Sequence, residues 1–165
     1  MNIKIVCVGK LKEKYFKDAI AEYAKRLQRF CKFEIIEVSE ELVDPNLKNL
    51  DVVKEKEGER ILTKAQGYII ALDIRGELIS SEDHAKKIND LATHGVSTIT
   101  YIIGGSYGLS KEVLDRADYK ISFGKLTYPH QLMRVVLSEQ IYRAYTILEG
   151  SSYHKWWING LWKQL

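Results

Sequence analysis

The chain has 165 residues, of which 45% are hydrophobic and 28% are charged. This composition excludes wholesale disorder and is typical of one globular domain with a single core. No apolar run approaches the roughly 20 residues that cross a bilayer, and the chain begins directly with strand-forming residues, so neither a membrane span nor a signal peptide is expected. The net charge of +3 permits a polyanionic partner without requiring one.

The cysteine content indicates a reducing compartment. Cys7 and Cys31 are the only two cysteines. Cys7 lies inside an apolar run, and we interpret both thiols as reduced and structural, which favours the cytoplasm. Because no histidines lie near them in the sequence, they do not predict a metal site.

The first part of the chain predicts a strand, a helix and a strand, followed by a charged insert. Residues 3–8 are a β-branched run closed by a glycine, which is typical of a strand. Apolar residues recur at helical spacing over residues 14–29, and residues 33–38 alternate apolar and acidic side chains as a second strand does. Residues 40–58 are polar and charged, and we interpret them as a solvated helix face and a mobile flap.

The second part of the chain predicts strands that alternate with helices. Strands are predicted at residues 68–72, 98–103 and 119–123. Helices are predicted at residues 81–94, 110–116 and 130–148. A turn is expected at Arg75 and Gly76, directly after the first of these strands. Alternation of this kind predicts an α/β domain with a mostly parallel sheet and helices on both faces.

Two loops at predicted strand ends are candidates for a ligand site, because open α/β sheets bind ligands at the carboxyl ends of their strands. The glycines of residues 104–108 let a backbone turn sharply and approach a ligand closely. Their spacing is neither that of a phosphate-binding loop nor that of a dinucleotide fingerprint. The peptide groups of residues 123–129 offer the donor and acceptor that an adenine edge needs. Either loop is also compatible with an ordinary turn.

Titratable side chains cluster in the last predicted helix and after it. His130 and Arg134 share a face near the start of that helix. At this position His130 either takes part in catalysis or only makes a hydrogen bond. Arg143 is either the helical ion-pair partner of Glu139 or a contact for RNA phosphate. The segment Tyr153-His154-Lys155 combines side chains that can stack on a base, handle a proton and meet a phosphate.

Three segments together resemble the ribosomal RNA large subunit methyltransferase H family. They are residues 3–27, residues 101–110, which read YIIGGSYGLS, and residues 122–155, which contain KLTYPHQLMR and YHK. The resemblance covers residues 1–155 and implies one domain of the SPOUT class, whose C-terminal third forms a deep trefoil knot. It also implies a homodimer that uses S-adenosylmethionine to methylate N3 of a pseudouridine in 23S rRNA of the assembled ribosome, without a metal.

The resemblance implies roles for individual residues. The family's cofactor-binding positions match Leu72, Gly104, Phe123, Gly124, Lys125, Leu126, Thr127 and Tyr128. We expect His154 to act as general base at the cofactor of the partner subunit, with Tyr153 positioning the target base and His130 as the second choice. Phosphate contacts are expected from Arg134, Arg143, Lys155 and Lys10.

The chain departs from the family pattern at its end, where residues 156–165 form an extension of unknown role that contains all three tryptophans. Two readings from other classes also stay open. One is a non-enzymatic RNA- or ribosome-binding module of the same fold, which binding of S-adenosylmethionine would exclude. The other is a flavodoxin-like or phosphate-binding domain, against which the absence of a phosphate-loop lysine argues.

Overall fold

The computed structural model describes residues 1–44, 46 and 50–154. The expectations for Lys155 and for residues 156–165 lie outside these residues. The strands are β1 Asn2–Val8, β2 Lys32–Val38, β3 Tyr68–Leu78, β4 Thr98–Ile103 and β5 Tyr119–Ser122. The helices are α1 Lys14–Leu27, α2 Asp51–Leu62, α3 Ser81–Thr93, α4 Lys111–Arg116 and α5 His130–Leu148, followed by a 3₁₀ turn at Ser152–His154.

The five strands form one parallel sheet in the order β2-β1-β4-β3-β5. Helices α1, α3 and α5 cover one face, and α2 and α4 cover the other. The prediction of an α/β fold with a mostly parallel sheet and helices on both faces is confirmed. The knot stays a prediction. In the part of the chain that the structure describes, no helix combines the length and apolarity of a membrane crossing.

Side chains of the central strands are buried on both faces of the sheet, because successive residues of a strand point to opposite sides. In β1, Ile3, Ile5 and Cys7 pack in the layer of α1, α3 and α5. Val6 and Val8 of the same strand pack toward α2 and α4. This double burial explains why the strands are almost continuously apolar in sequence.

Strand β3 continues past the turn that was predicted at Arg75 and Gly76, so that prediction was wrong. Its pairing with β5 shifts in register, because Leu72 and Glu77 both lie opposite Ile121. A Cβ atom on Gly76 would lie 2.7 Å from the carbonyl carbon of Ile121. The glycine therefore marks a bulge where two strands approach closely, and not a turn that ends the strand.

The charged insert is packed against the domain where it is described. Glu41 is ion-paired with Lys56 at 3.0 Å and with Arg60. In α2, Val53 and Gly58 are buried. The interpretation of α2 as a solvated helix face holds for only one of its sides, and a free flap does not fit these contacts.

Candidate active site

A cavity of about 390 Å³ lies where β3, β4 and β5 end, between the loops after these strands and the first turn of α5. Its position follows from parallel pairing, which brings the carboxyl ends of neighbouring strands to one edge of the sheet. The predicted cofactor positions that line it are Leu72, Gly104, Phe123, Gly124, Leu126, Thr127 and Tyr128. Lys125 is the exception, since it is exposed and is not part of the cavity wall.

The two loops around the cavity depend on glycine. A Cβ atom on Gly104 would lie 2.9 Å from the carbonyl carbon of Gly108, so the loop closes on itself at that point. Gly108 and Gly124 have φ angles of 85° and 105°, which side-chain-bearing residues rarely adopt. The N–H of Gly124 donates to the hydroxyl of Ser122 at 3.2 Å, which holds the second loop in place.

The cavity wall combines apolar side chains with peptide groups. Leu72, Ile103 and Met133 supply apolar surface, and the glycine-rich loops bring backbone close to the cavity. Asp73 supplies a carboxylate, and its hydrogen bonds with Arg75 hold the pKa of that carboxyl group below its usual value. An apolar pocket with a few polar groups is the usual form of a site for a nucleoside-like ligand. Its size and lining therefore fit S-adenosylmethionine.

Sequence reasoning missed part of this wall. Asp73 and Ile103 directly adjoin the predicted positions Leu72 and Gly104, so continuing each strand by one residue would have found them. Met133 lies one helical turn after Pro129 and was not predicted as a site residue. Its role depends on the helix starting at the cavity, which the sequence alone does not show.

His130 is the histidine that lines the cavity in this chain. Burial, and secondarily the positive charge of Arg134, lower the pKa of His130 below its usual value. The imidazole is therefore neutral at neutral pH and is able to accept a proton. The structure thus places the second-choice base of the sequence analysis at the cavity.

Arg134 does not fit its predicted role as a contact for RNA phosphate, because its side chain is only 1% exposed. The guanidinium donates to the carbonyl oxygens of Val8 at 2.5 Å and Gly9 at 3.0 Å, and it is ion-paired with Glu37 at 3.0 Å. Arg134 therefore joins α5 to the end of β1 and to β2. The four-residue spacing predicted that Arg134 and His130 share a helix face. Such periodicity does not show how deeply the end of a long side chain is buried.

Tyr153 and His154 pack into their own chain beside α5. His154 is buried, with Nε2 at 2.7 Å from Oε1 of Glu82 and Nδ1 at 3.2 Å from Nη1 of Arg143. A guanidinium only donates, so this geometry assigns the neutral tautomer with its proton on Nε2. Tyr153 donates to Glu139 at 3.2 Å, and neither it nor His154 lines the cavity within one chain.

Arg143 forms the helical ion pair that was one of its two predicted roles. Its Nη2 lies 2.6 Å from Oε1 of Glu139, and its guanidinium stacks over the ring of Tyr153 at 4.9 Å. Its side chain is half-buried by these contacts, at 17% exposure. The alternative role as a contact for RNA phosphate stays a prediction.

The chain matches a known protein family and named relatives. A model described as "Predicted SPOUT methyltransferase" matches residues 1–154. A protein of Limosilactobacillus reuteri, named ribosomal RNA large subunit methyltransferase H, is 62% identical over 159 residues, which are 94% of this chain and 100% of that protein. A protein of the same name from Clostridium novyi is 57% identical over the same shares of the two chains.

Solved structures agree on the fold. A probable methylase family protein from Haemophilus influenzae Rd KW20 has a TM-score of 0.52 at 16% identity, covering 93% of this chain and 70% of that one. A putative methylase family protein from Neisseria gonorrhoeae has a TM-score of 0.51 at 15% identity, covering 86% of this chain and 81% of that one. With the family model and the close relatives, these findings establish that the chain belongs to the SPOUT methyltransferase family.

Proposed function

We propose that this protein transfers a methyl group from S-adenosylmethionine to N3 of a pseudouridine in 23S rRNA of the assembled ribosome. The observation that carries the proposal is the cavity at the ends of β3, β4 and β5, because it is lined by all but one of the predicted cofactor positions. The names of the relatives at 57–62% identity support ribosomal RNA as the substrate.

Residues of the cavity would hold the cofactor through its adenosine. Leu72, Phe123 and Met133 offer apolar surface to the purine ring, and the backbone of residues 123–128 offers peptide donors and acceptors to its edge. The carboxylate of Asp73 is able to accept hydrogen bonds from ribose hydroxyls. When bound, S-adenosylmethionine supplies an electrophilic methyl group on a sulfonium centre, so the protein has to orient the two reactants and handle one proton.

That proton is on N3 of the pseudouridine, which is an imide nitrogen and must be deprotonated to attack a methyl group. We propose a neutral histidine as the acceptor. His130 lines the cavity of its own chain, whereas His154 is held by Glu82 and Arg143. For His154 to be the base, it has to act at the cavity of a twin chain, with Tyr153 beside the target base. This arrangement requires a homodimer.

The test of the proposed function is the incubation of the protein with methyl-labelled S-adenosylmethionine and either assembled ribosomes or free 23S rRNA. We expect label on N3 of one pseudouridine, and only with ribosomes. Label on another atom or nucleotide would contradict the proposed target. Equal rates on both substrates would contradict the requirement for an assembled ribosome. No binding of the cofactor in calorimetry would favour a non-enzymatic RNA-binding protein.

A ribosomal substrate also supports the proposal that the protein acts in the cytoplasm.

A further inference from the structure

The loop between β1 and α1 is held from inside the molecule. Arg134 donates to the carbonyl oxygens of the two residues with which β1 ends and the loop begins, Val8 and Gly9. The N–H of Leu11 donates to Oε1 of Glu37 at 2.8 Å, and the same carboxylate oxygen is ion-paired with Arg134. Side chains of α5 and β2 therefore fix the path of this loop.

The same loop adjoins the candidate active site. The N–H of Lys12 donates to Oε1 of Gln131, in the first turn of α5, at 3.4 Å. The preceding residue, His130, lines the cavity. The loop and the cavity thus share one helical turn, so a polymer that places a nucleotide at the cavity passes close to the loop.

The loop and the start of α1 present lysines to solvent. Lys10, Lys12, Lys14 and Lys17 are all exposed. Lys14 is ion-paired with Asp18 at 2.6 Å. The ammonium groups of the other three have neither an ion-pair nor a hydrogen-bond partner among residues 1–44, 46 and 50–154. A fixed backbone that carries unpaired ammonium groups is able to bind anions without first breaking internal ion pairs.

A cleft of about 540 Å³, which we call the lysine cleft, lies between α1 and β2 beside this loop. Lys10 and Lys17 line it, together with Arg134 and aliphatic side chains such as Ile20. Within the described part of the chain, the Nε–H of Arg134 has no hydrogen-bond partner, and its side chain is 1% exposed. Glu37 is the carboxylate of the cleft wall, and it is already engaged by Arg134.

We propose that the lysine cleft, with Lys12 at its rim, binds the phosphate backbone of ribosomal RNA beside the target nucleotide. The proposal rests on the proposed function and names the contact that places the substrate. A phosphate oxygen fits the exposed lysines of the cleft, since it accepts their hydrogen bonds and neutralises their charge. Arg134 acts here as a positioning residue, because it holds the loop while Lys10, Lys12 and Lys17 make the contacts. This local patch also explains how a chain of net charge +3 recognises a polyanion.

The experiment compares two triple variants that remove the same charge. The test variant is Lys10→Ala/Lys12→Ala/Lys17→Ala. The control is Lys25→Ala/Lys32→Ala/Lys64→Ala, which removes exposed lysines at the opposite edge of the sheet, near the starts of β2 and β3. Binding of assembled ribosomes is measured over a series of salt concentrations without cofactor, and the affinity for S-adenosylmethionine is measured by calorimetry.

The logarithm of ribosome affinity decreases linearly with the logarithm of salt concentration. In the test variant, we expect this decrease to be shallower, with a slope smaller in magnitude by roughly 2 to 3, because each lost phosphate contact contributes about 0.7 to 0.9. We also expect kcat/KM for ribosomes to fall at least about tenfold at physiological salt. The affinity for S-adenosylmethionine should equal that of the wild type. Equal slopes and equal kcat/KM in the test and control variants would overturn the proposal. Failure of the wild type to methylate ribosomes would instead defeat the proposed function, and the binding slopes would still decide the role of the cleft.

Discussion

Arg134 and His84 are ionisable side chains inside the packed layers, at 1% and 4% exposure. Each is hydrogen-bonded to groups of its own chain. Arg134 is held by two carbonyl oxygens and Glu37, and His84 lies with its Nε2 at 2.7 Å from the hydroxyl of the buried Tyr101. Arg134 contributes to stability through its hydrogen bonds and ion pair. His84 contributes by staying neutral, so its contribution depends on pH.

Replacing Arg134 by alanine should lower the free energy of unfolding by about 2 to 4 kcal/mol, because Glu37 and the carbonyl oxygens of Val8 and Gly9 lose their donor. The measurement is urea unfolding of the variant against the wild type. Lys14→Ala is the matched control. It removes a cation from an exposed ion pair and should cost about 0.5 kcal/mol or less. Similar costs for both variants would mean that Arg134 does not stabilise the packing of α5 against β1 and β2.

His84 should make stability dependent on pH. Burial lowers its pKa to about 4 in the folded chain, from 6.5 when exposed. As the pH falls through this window the unfolded chain binds the proton first, so stability is complete above pH 6.5 and is lost toward pH 4. Between pH 7.5 and 5.0 this loss amounts to about 2 kcal/mol.

The check on His84 is urea unfolding of the wild type and of His84→Gln at both pH values. Other groups titrate in both proteins, so the difference between the two proteins isolates His84. We expect the wild type to lose about 2 kcal/mol more than the variant between pH 7.5 and pH 5.0. Parallel losses would show that His84 is not held neutral.

At the scale of elements, glycines set how closely neighbouring elements approach. Gly58 lies inside α2, and a Cβ atom there would overlap the hydroxyl of Ser110 and lie 3.1 Å from Cγ2 of Val113. Ser110 is the N-cap of α4, where its hydroxyl accepts from the N–H of Val113. The contact between α2 and α4 therefore requires a residue without a side chain at position 58.

Gly58→Ala should destabilise the protein by about 1 to 3 kcal/mol through overpacking, although alanine is favoured over glycine by about 1 kcal/mol in an open helix. Thermal and urea unfolding measure this cost. In the double variant Gly58→Ala/Ser110→Gly the overlap with Ser110 is removed, so the combined cost should be smaller than the sum of the two single costs. Additivity within about 0.5 kcal/mol would show that the two positions do not touch.

The elements were predictable where local signals decide them. Serines at positions 80 and 110 cap α3 and α4, and apolar runs or apolar alternation marked all five strands. Gly76 was misread because its meaning depends on Ile121, which lies 45 positions later in the chain and next to it only in the folded sheet. The burial of Arg134 likewise depends on carbonyl groups of β1. The cavity was located because strand-end loops and the family resemblance indicated the same residues, whereas the role of Met133 required coordinates.

At the scale of the whole molecule, the cavity and the pair Tyr153 and His154 lie apart within one chain. The cavity is built from β3, β4, β5 and α5, while Tyr153 and His154 lie against Glu139 and Glu82 of the same chain. If a twin chain supplies His154, the two parts of each active site come from different subunits. Two inactive variants with defects in different parts should then restore activity when they are combined.

The two variants are Thr127→Arg, which fills the cavity from an exposed wall position, and His154→Gln. Each should fold as the wild type does by thermal melting and should be nearly inactive as a homodimer. Co-expression at equal levels makes half of the dimers mixed, and each mixed dimer has one site with both parts intact. The expected rate per chain is therefore about one quarter of the wild-type rate. If His154 acts at the cavity of its own chain, every site keeps one defect and no activity returns. An active His154→Gln homodimer would instead leave His130, which already lines the cavity, as the base.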